Sequence, residues 1–476
     1  MKSKYILNYC TLIIFISLIF SLIYGNYNLK KFDKNIITEN NKSLHLMIKN
    51  DPLRYFSHGY EIKEQLKNNT NYFETGRNNF TKYLYPRIIA LYYYFFDYDL
   101  YENSKKKEIK TGIHKNFLFL QIVLYYLSVF FFYFQLKRKI ENKYLFFTLL
   151  FLCIEPTLFQ YHGSFWSESI FFSFQILIMG MILSNNFSNL RLIILGIVLS
   201  FLALQRSNGF YYLIPVIIYF YFSKDFRFFY KILFLLIGFS FLISLVSFHN
   251  YKKSGKFSIV PLETKSVLHA YVIPNLLDKN GLKLEKEKFF DMIEEENILI
   301  DNELLKDINY ARYSFKFCQN TNDKKNGLQY LRICKYFHER SKEIIISNPL
   351  KFIKFVSAKS LSFVLLNPFH IYSDHRYFSG ESYYNSDLHN KLKNYRIFYS
   401  LIIYLICFIG LIELYRKREN KILLYVVISC VYFFGILSWH GNNRYFTPIL
   451  IYSSILFGYG INFILNFFNK KKFINS

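Results

Sequence analysis

Acidic residues are scarce in this chain: 33 Asp and Glu stand against 59 Lys and Arg, a formal net charge of +26. That balance would suit nucleic acid, but nothing in the sequence resembles a nucleic-acid-binding fold. The basic residues are left to serve orientation in a bilayer and contact with anionic head groups. A cleavage pattern of small residues is missing after the first apolar run, Tyr5 to Tyr24, which follows Lys2 and Lys4. That run therefore reads as an uncleaved signal anchor with its N-terminus in the cytoplasm. His440 and His162 have no closely spaced His or carboxylate pair to support a dedicated metal site, so a divalent metal stays open without support from ligand spacing, and no cofactor is certain. An internal repeat of the transporter kind is not visible. Of only six cysteines, Cys10, Cys153, Cys407 and Cys430 lie in apolar runs as small apolar residues. Cys318 and Cys334 share one polar segment, where a disulfide is open to them in an oxidising compartment.

What is abundant is apolar and aromatic. The chain is 52% hydrophobic and 21% aromatic, with 43 Tyr and 55 Phe, far outside soluble averages. Its mean hydropathy is only +0.13, so long polar segments must dilute the spans. Runs of spanning length occur at Tyr5 to Tyr24, Phe117 to Leu136, Tyr144 to Tyr161, Phe165 to Leu183, Leu190 to Leu204, Phe210 to Phe222, Ile232 to Phe248, Ile397 to Tyr415, Ile422 to Leu437 and Tyr445 to Phe468. The pattern predicts an all-α polytopic membrane protein of about ten transmembrane helices with a mainly helical external domain. Lys137, Arg138, Lys139, Lys143, Lys224, Arg227, Lys231, Arg416, Lys417, Arg418, Lys421 and the tail Lys470 to Lys472 fall in one set of alternate loops. The opposite short loops hold only Arg206 and Arg444. By the positive-inside rule both termini are cytoplasmic. The chain divides into an N-terminal membrane module (1–249) with a large first external loop (25–116), an external domain (250–396) and C-terminal membrane helices (397–476). A bacterial inner membrane with a periplasmic site is expected, or the endoplasmic-reticulum lumen in a eukaryote.

In the external domain, Leu282 to Arg312 reads as an amphipathic helix with a solvated charged face. Asn348-Pro349 opens an apolar stretch interrupted by Lys351, Lys354 and Lys359. A span there would invert everything after it and break the charge rule, so an interfacial helix ending near Pro368 is expected. Asp374, His375 and Arg376 read as a solvated loop.

Charge near a bilayer is costly and asks for a partner or a task. With this topology Asp51, Glu168, Arg206, His440 and Arg444, from five separate segments, all come to the external face. Asp51 stands in a loop after the first span, where it reads as a solvated carboxylate or a helix cap before Leu53. Glu168, in SFWSESIFF, stands roughly a turn inside its span and invites a buried ion pair or a site role. Arg206 and Arg444 are the exceptions in short external loops otherwise without positive charge, and guanidinium groups beside one cleft suit a phosphate. His440 and His162 read as polar wall residues.

Several of these pieces together resemble the GT-C superfamily of integral membrane glycosyltransferases, nearest to the branch of protein mannosyltransferases and aminoarabinose transferases. They are Asp51 with Tyr55 downstream, the YLYPRIIALYYYFF run at Tyr83 to Phe96, the turn from Pro156 to Glu168, LALQRSNGFYYLIP and NRYFTPIL. The resemblance implies a GT-C-like fold and a lipid-linked sugar donor, a polyprenyl- or dolichyl-phosphate sugar. It implies transfer outside the cytoplasm to an acceptor that the sequence leaves unknown. It makes Asp51 the catalytic base of the first loop. Pro52 stands where many members carry a second carboxylate. Expected partners are the donor and membrane lipids, with no nucleic acid, and Tyr55, Glu168, Arg206, His440 and Arg444 are the expected substrate-binding residues. A polysaccharide polymerase or ligase would share the spans, the large loop and the external Arg residues. A transporter or flippase would place its charges near the midplane in symmetric halves, a pattern not seen here.

Overall fold

The computed structural model describes residues 3–33, 51–68, 84–98, 101–103, 108–109, 112–223, 227–254, 257, 268–269, 272–296, 327–366, 386–437 and 446–474. Ten apolar helical segments follow one another where hydropathy puts the spans. Five single helices are long and apolar enough to cross a membrane. These are α1 (Ser3–Asp33), α4 (Gly112–Leu136), α11 (Phe228–Ser254), α16 (Ser386–Arg416) and α18 (Pro448–Ile474). A sixth is a broken pair, α5 (Asn142–Ile154) and α6 (Pro156–Phe159), the second continued by a 3-10 turn at Gln160–Gly163 and bent by 41° from the first. Shorter apolar segments are α7 (Glu168–Leu183), α8 (Asn189–Gln205), the pair α9 (Ser207–Tyr211) and α10 (Leu213–Phe222), and α17 (Asn420–Leu437). The expected span Tyr144 to Tyr161 is thus corrected to two helices. Pro156 has no N–H to give and its ring clashes with the preceding turn, so α5 ends before it and a new helix starts on it.

Polar side chains at the two ends of the bundle differ in kind. At one end Glu413 holds Arg416 through two hydrogen bonds of 2.7 and 2.9 Å and accepts the Tyr144 hydroxyl at 3.4 Å, while Glu141 meets Lys143 and Lys417. Arg191 spans α7 and α8 there, bonded to Gln135 at 2.7 Å and Ser184 at 2.6 Å. The opposite end gathers the close of α1 and α5, the start of α4 and α7, and the close of α8. Over it lie two helices of the first loop, α2 (Asp51–Lys67) and α3 (Leu84–Phe95), and a two-stranded antiparallel hairpin of β1 (Tyr101–Asn103) and β2 (Glu108–Ile109). Asp51, expected in a loop, is the first residue of α2.

Helix α8, which ends at the second of these ends, lies directly on α11. A Cβ on Gly196 would stand 2.2 Å from the Leu235 carbonyl oxygen, and one on Gly238 2.1 Å from that of Ile193. Only glycine lets the two backbones meet so closely, the small-residue solution to helix packing in lipid.

Outside the bundle, α12 (Ile273–Leu276), α13 (Lys279–Glu295), α14 (Gly327–Ser347) and α15 (Pro349–Leu366) form a small group. Asp278 caps α13 by accepting from the Gly281 N–H at 2.7 Å. The amphipathic helix expected to Arg312 is described only to Glu295, and 297–326 lie outside the described residues. The group closes on Val272, Ile273, Leu276 and Ile344, with Phe352 and Phe355 of α15 packed against them. Glu285 of α13 accepts two bonds from Arg340 of α14, at 2.6 and 2.7 Å. Burial alone would raise the Glu285 pKa, but the bonds and charge of Arg340 outweigh it and hold it below the ordinary value. Beside this pair, buried His269 meets Ser341 Oγ at 3.1 Å. Burial pushes its pKa down from 6.5 to about 4, with Glu285 raising and Arg340 lowering it to lesser degrees. Cys334 in α14 is disulfide-bonded; Cys318, its expected partner, lies outside the described residues.

Two outcomes follow from this packing. Gly238→Leu is expected to push α8 off α11 and cost about 1–3 kcal/mol, read as a lowered thermal midpoint in nanodiscs. For His269 the folded pKa lies below the unfolded one, so its stabilisation is complete above pH 6.5 and is lost as pH falls from 6.5 towards 4. The loss is on the order of 3 kcal/mol. Hydrogen exchange of α13 and α14, corrected for intrinsic rate, should accelerate across that window in the wild type. In His269→Asn it should not.

Candidate active site at the meeting of α7 and α8

The functional side chains stand on the connection from Glu155 to Glu168 and on the corner where α8 turns into α9. Glu155 caps α6: its carboxylate accepts from the Leu158 N–H at 2.8 Å and the Thr157 hydroxyl at 2.8 Å, and the Tyr399 hydroxyl of α16 reaches it at 3.5 Å. An acidic residue immediately before a proline is an N-cap signal in the sequence, and it was the signal available for this residue. Arg396, one turn before Tyr399, is almost fully buried, and nothing in the sequence distinguishes it from a residue at a span end.

The chain then runs entirely buried from Tyr161 to Ile170. His162, expected as a wall residue, is buried instead, its Nδ1 at 2.9 Å from Ser21 Oγ of α1, which also meets the Tyr126 hydroxyl at 2.8 Å. Asn28 of α1 donates to the Gly163 carbonyl at 3.4 Å. Gln121 of α4 donates to the Ser164 carbonyl at 3.4 Å, and the Tyr85 hydroxyl of α3 lies between the Gln121 side-chain oxygen and the Phe165 carbonyl, the latter at 3.0 Å. The carbonyls of Gly163, Ser164 and Phe165 are thus answered from three different helices.

Glu168 is the first residue of α7, not one turn inside a span. The unpaired N–H groups and positive dipole of a helix start favour a carboxylate there. Its carboxylate is 1% exposed and forms an ion pair with Arg206, itself 5% exposed. Ser167 Oγ donates to the other carboxylate oxygen at 3.3 Å, and Gln205 donates to the Ser167 carbonyl at 2.9 Å, so two adjacent residues of α8 grip two adjacent residues of α7. The Arg206 guanidinium also lies 5.9 Å from the centre of the Phe171 ring. Arg206 has extended backbone between α8 and α9. The chain turns back so closely that a Cβ on Gly209 would stand 2.2 Å from the Leu202 carbonyl oxygen. The Tyr432 hydroxyl of α17 donates to the Asn208 carbonyl at this corner.

Tyr55, one turn after Asp51, is buried with its ring edge-on to Tyr85 at 5.1 Å. Phe56 beside it packs on His114 at 4.4 Å and Phe165 at 5.0 Å. Burial first, and then the negative charge of Glu168, raise the Tyr85 pKa well above the ordinary phenol value. The start of α2 is therefore fastened, through Tyr55 and Tyr85, to the turn that carries Glu168. The carboxylate of Asp51 lies outside what is described, as do all of His440 and Arg444 and the loop of Asp374, His375 and Arg376. Phe446 and Thr447, directly after the segment 438–445, are buried. Among the described residues no three His, Cys, Asp or Glu lie together in a way that could hold a metal ion. Glu168 is committed to Arg206.

A buried ion pair stripped of one member leaves a bare charge, at about 3–5 kcal/mol. Arg206→Ala and Glu168→Ala are each expected to lower stability by that order. Glu168→Gln with Arg206→Gln, which removes both charges and keeps hydrogen-bonding groups, should recover most of it. A double-mutant cycle on thermal unfolding in detergent checks this, and additive losses would mean that the pair is not coupled.

No protein-family model and no curated protein matches the sequence. In overall arrangement the chain is similar to the oligosaccharyltransferase AglB from the archaeon Archaeoglobus fulgidus, solved with an inhibitory peptide and a dolichol-phosphate. Identity is 12%, with 97% of this chain and 51% of that chain covered and a TM-score of 0.47. For the apo form of the Archaeoglobus fulgidus oligosaccharyltransferase the identity is 11%, the coverage 97% and 52%, and the TM-score 0.48. For its complex with Zn and sulfate the figures are 12%, 95% and 49%, and 0.41. The chain spans about half the length of these structures.

Proposed function

We propose that this chain is a membrane glycosyltransferase that moves a sugar from a polyprenyl-phosphate donor to an acceptor hydroxyl, with inversion, at the end of the bundle where α7 and α8 meet. The observation that carries the reading is the buried Glu168–Arg206 pair, built at a helix start and fastened to the helix that Asp51 begins. A sugar on a phosphate already has a good leaving group, so the reaction needs less acid assistance than glycoside hydrolysis, which takes two carboxylates. Its needs are a base and positive charge.

In the proposed step the Asp51 carboxylate takes the proton of the acceptor hydroxyl as that oxygen attacks the anomeric carbon. The bond from that carbon to the phosphate oxygen breaks on the opposite face, the configuration inverts, and polyprenyl phosphate leaves carrying the electron pair. Arg206 turns its guanidinium to the phosphate and Glu168 fixes its direction. Because Glu168 cancels the charge of Arg206 locally, the net positive charge for the leaving group falls to Arg444. Tyr55 holds the start of α2, and His440 lines the acceptor side. Both termini are cytoplasmic in this reading, and the site faces away from the cytoplasm.

The test is release of free polyprenyl phosphate from a panel of polyprenyl-phosphate sugars by purified protein in nanodiscs, with crude envelope extract as acceptor source. Wild type is expected to consume one donor. Asp51→Asn should lose about 10²- to 10⁴-fold in kcat and Arg444→Ala about 10²-fold or more, both remaining folded. Absence of turnover with every donor would overturn the reading in favour of a polymerase with a diphosphate-linked donor or a transporter. Turnover that survives in Asp51→Asn would remove the base and keep the class.

A further inference from the structure

Helix α15 has two apolar faces, and only one of them is used. Phe352 and Phe355 pack inward on the cluster of Val272, Ile273, Leu276 and Ile344. On the other side Leu350, Ile353 and Leu361 are 80%, 58% and 60% exposed. With exposed Ser357 they are spaced by three, four and four residues, which is one continuous stripe of an α-helix. Lys351 and Lys354 are exposed along one edge of that stripe. The helix sequence, PLKFIKFVSAKSLSFVLL, has three lysines and no acidic residue. Neither Lys351 nor Lys354 is within ion-pair distance of a described carboxylate.

The position of the stripe along the membrane normal follows from a contact at the far end of the helix. The Leu365 carbonyl of α15 accepts from Ser400 Oγ of α16 at 3.1 Å. Ser400 lies six residues past Asn394, where the apolar span of α16 begins, which is roughly 9 Å along the helix axis. The end of α15 is therefore tied to α16 roughly 9 Å inside the start of its apolar span, on the same end of the bundle as Glu168 and Arg206. The lysines of α15 differ from those elsewhere in the external domain in standing beside an exposed apolar stripe on a helix tied to a span.

We infer that α15 is a lipid-docking helix whose Leu350–Ile353–Leu361 stripe is seated in the leaflet at the site end, with Lys351 and Lys354 binding the head groups of anionic phospholipid. Apolar side chains at this depth gain by leaving water, and each lysine beside an anionic head group adds a salt-sensitive attraction. The inference stands without the glycosyltransferase reading, since it uses only the membrane level of α16 and the faces of α15.

The full chain, carrying Ile353→Cys labelled with an environment-sensitive fluorophore, is reconstituted in nanodiscs of phosphatidylcholine with phosphatidylglycerol, one lipid or the other bearing brominated chains as quencher. Quenching by both lipids is expected, with brominated phosphatidylglycerol favoured about fivefold per lysine over its bulk ratio and the preference reduced by salt. Lys351→Glu with Lys354→Glu, both on the surface, should abolish the preference and leave lipid quenching in place. Quenching by aqueous iodide and not by lipid would overturn the proposal, because the stripe would then face water. Shielding from both would overturn it in favour of a second protein surface. Equal quenching by the two lipids in the protein with its native lysines would remove the anionic partner.

Discussion

The rest of this end of the bundle depends on the ion pair between Glu168 and Arg206, because it joins two helix ends that have no other reason to be polar. A carboxylate at a helix start meets unpaired N–H groups, and a guanidinium at a helix end meets unpaired carbonyls. Setting these ends side by side, α7 beginning where α8 stops, lets each charge answer the other and its own helix. A hydrocarbon surround makes leaving either charge alone expensive. The close approach of α8 to α11 through Gly196 and Gly238 then holds Arg206 at that position from behind.

The turn from Glu155 to Glu168 obeys the same constraint over a longer distance. Irregular backbone at membrane depth is tolerated only where its polar groups are satisfied from within the protein. Here the satisfaction comes from Ser21 and Asn28 of α1, Gln121 of α4, Tyr85 of α3 and Gln205 of α8. Because the partners come from four different helices, the turn also fixes those elements relative to one another. The α2–α3 cover is part of this arrangement, since Tyr55, Phe56 and Tyr85 belong to it. A base at the head of α2 would inherit the rigidity of the turn.

Hydropathy and loop charge made the order of the ten apolar segments readable, and they brought Glu168 and Arg206 to the same end before any contact was known. Less was readable where backbone chemistry interrupts hydropathy. The window from Tyr144 to Tyr161 looks continuous because apolar residues lie on both sides of Pro156, while the missing N–H that breaks the helix carries no weight in such a window. Glu168 looked embedded because Phe165 and Trp166 precede it, although these residues belong to the turn. Glu155 was overlooked, since its role lies in the dipeptide with Pro156 and not in a charge pattern. The partnership of Tyr399 with Glu155 joins residues far apart in sequence, and no local signal could have shown it. The second use of α15 is of another kind: three lysines in an apolar helix argued against a span, but which face the helix buries depends on the small cluster under Phe352 and Phe355.

The arrangement also bears on what sort of anion such a centre can serve. An isolated arginine buried at this depth would attract a phosphate strongly and hold it after the reaction, and a lipid phosphate that does not leave blocks the next turnover. Pairing Arg206 with Glu168 removes most of the long-range attraction at low dielectric, where charges act across several ångströms, yet keeps directed N–H donors whose strength is felt only in contact. In the proposed transfer such a pair would favour the atoms on which charge gathers during bond cleavage over the diffuse charge of the bound donor, the difference from which catalysis arises. Under that proposal the buried salt bridge is worth more to discrimination between ground state and transition state than to stability, where replacement by neutral groups of the same shape would serve nearly as well.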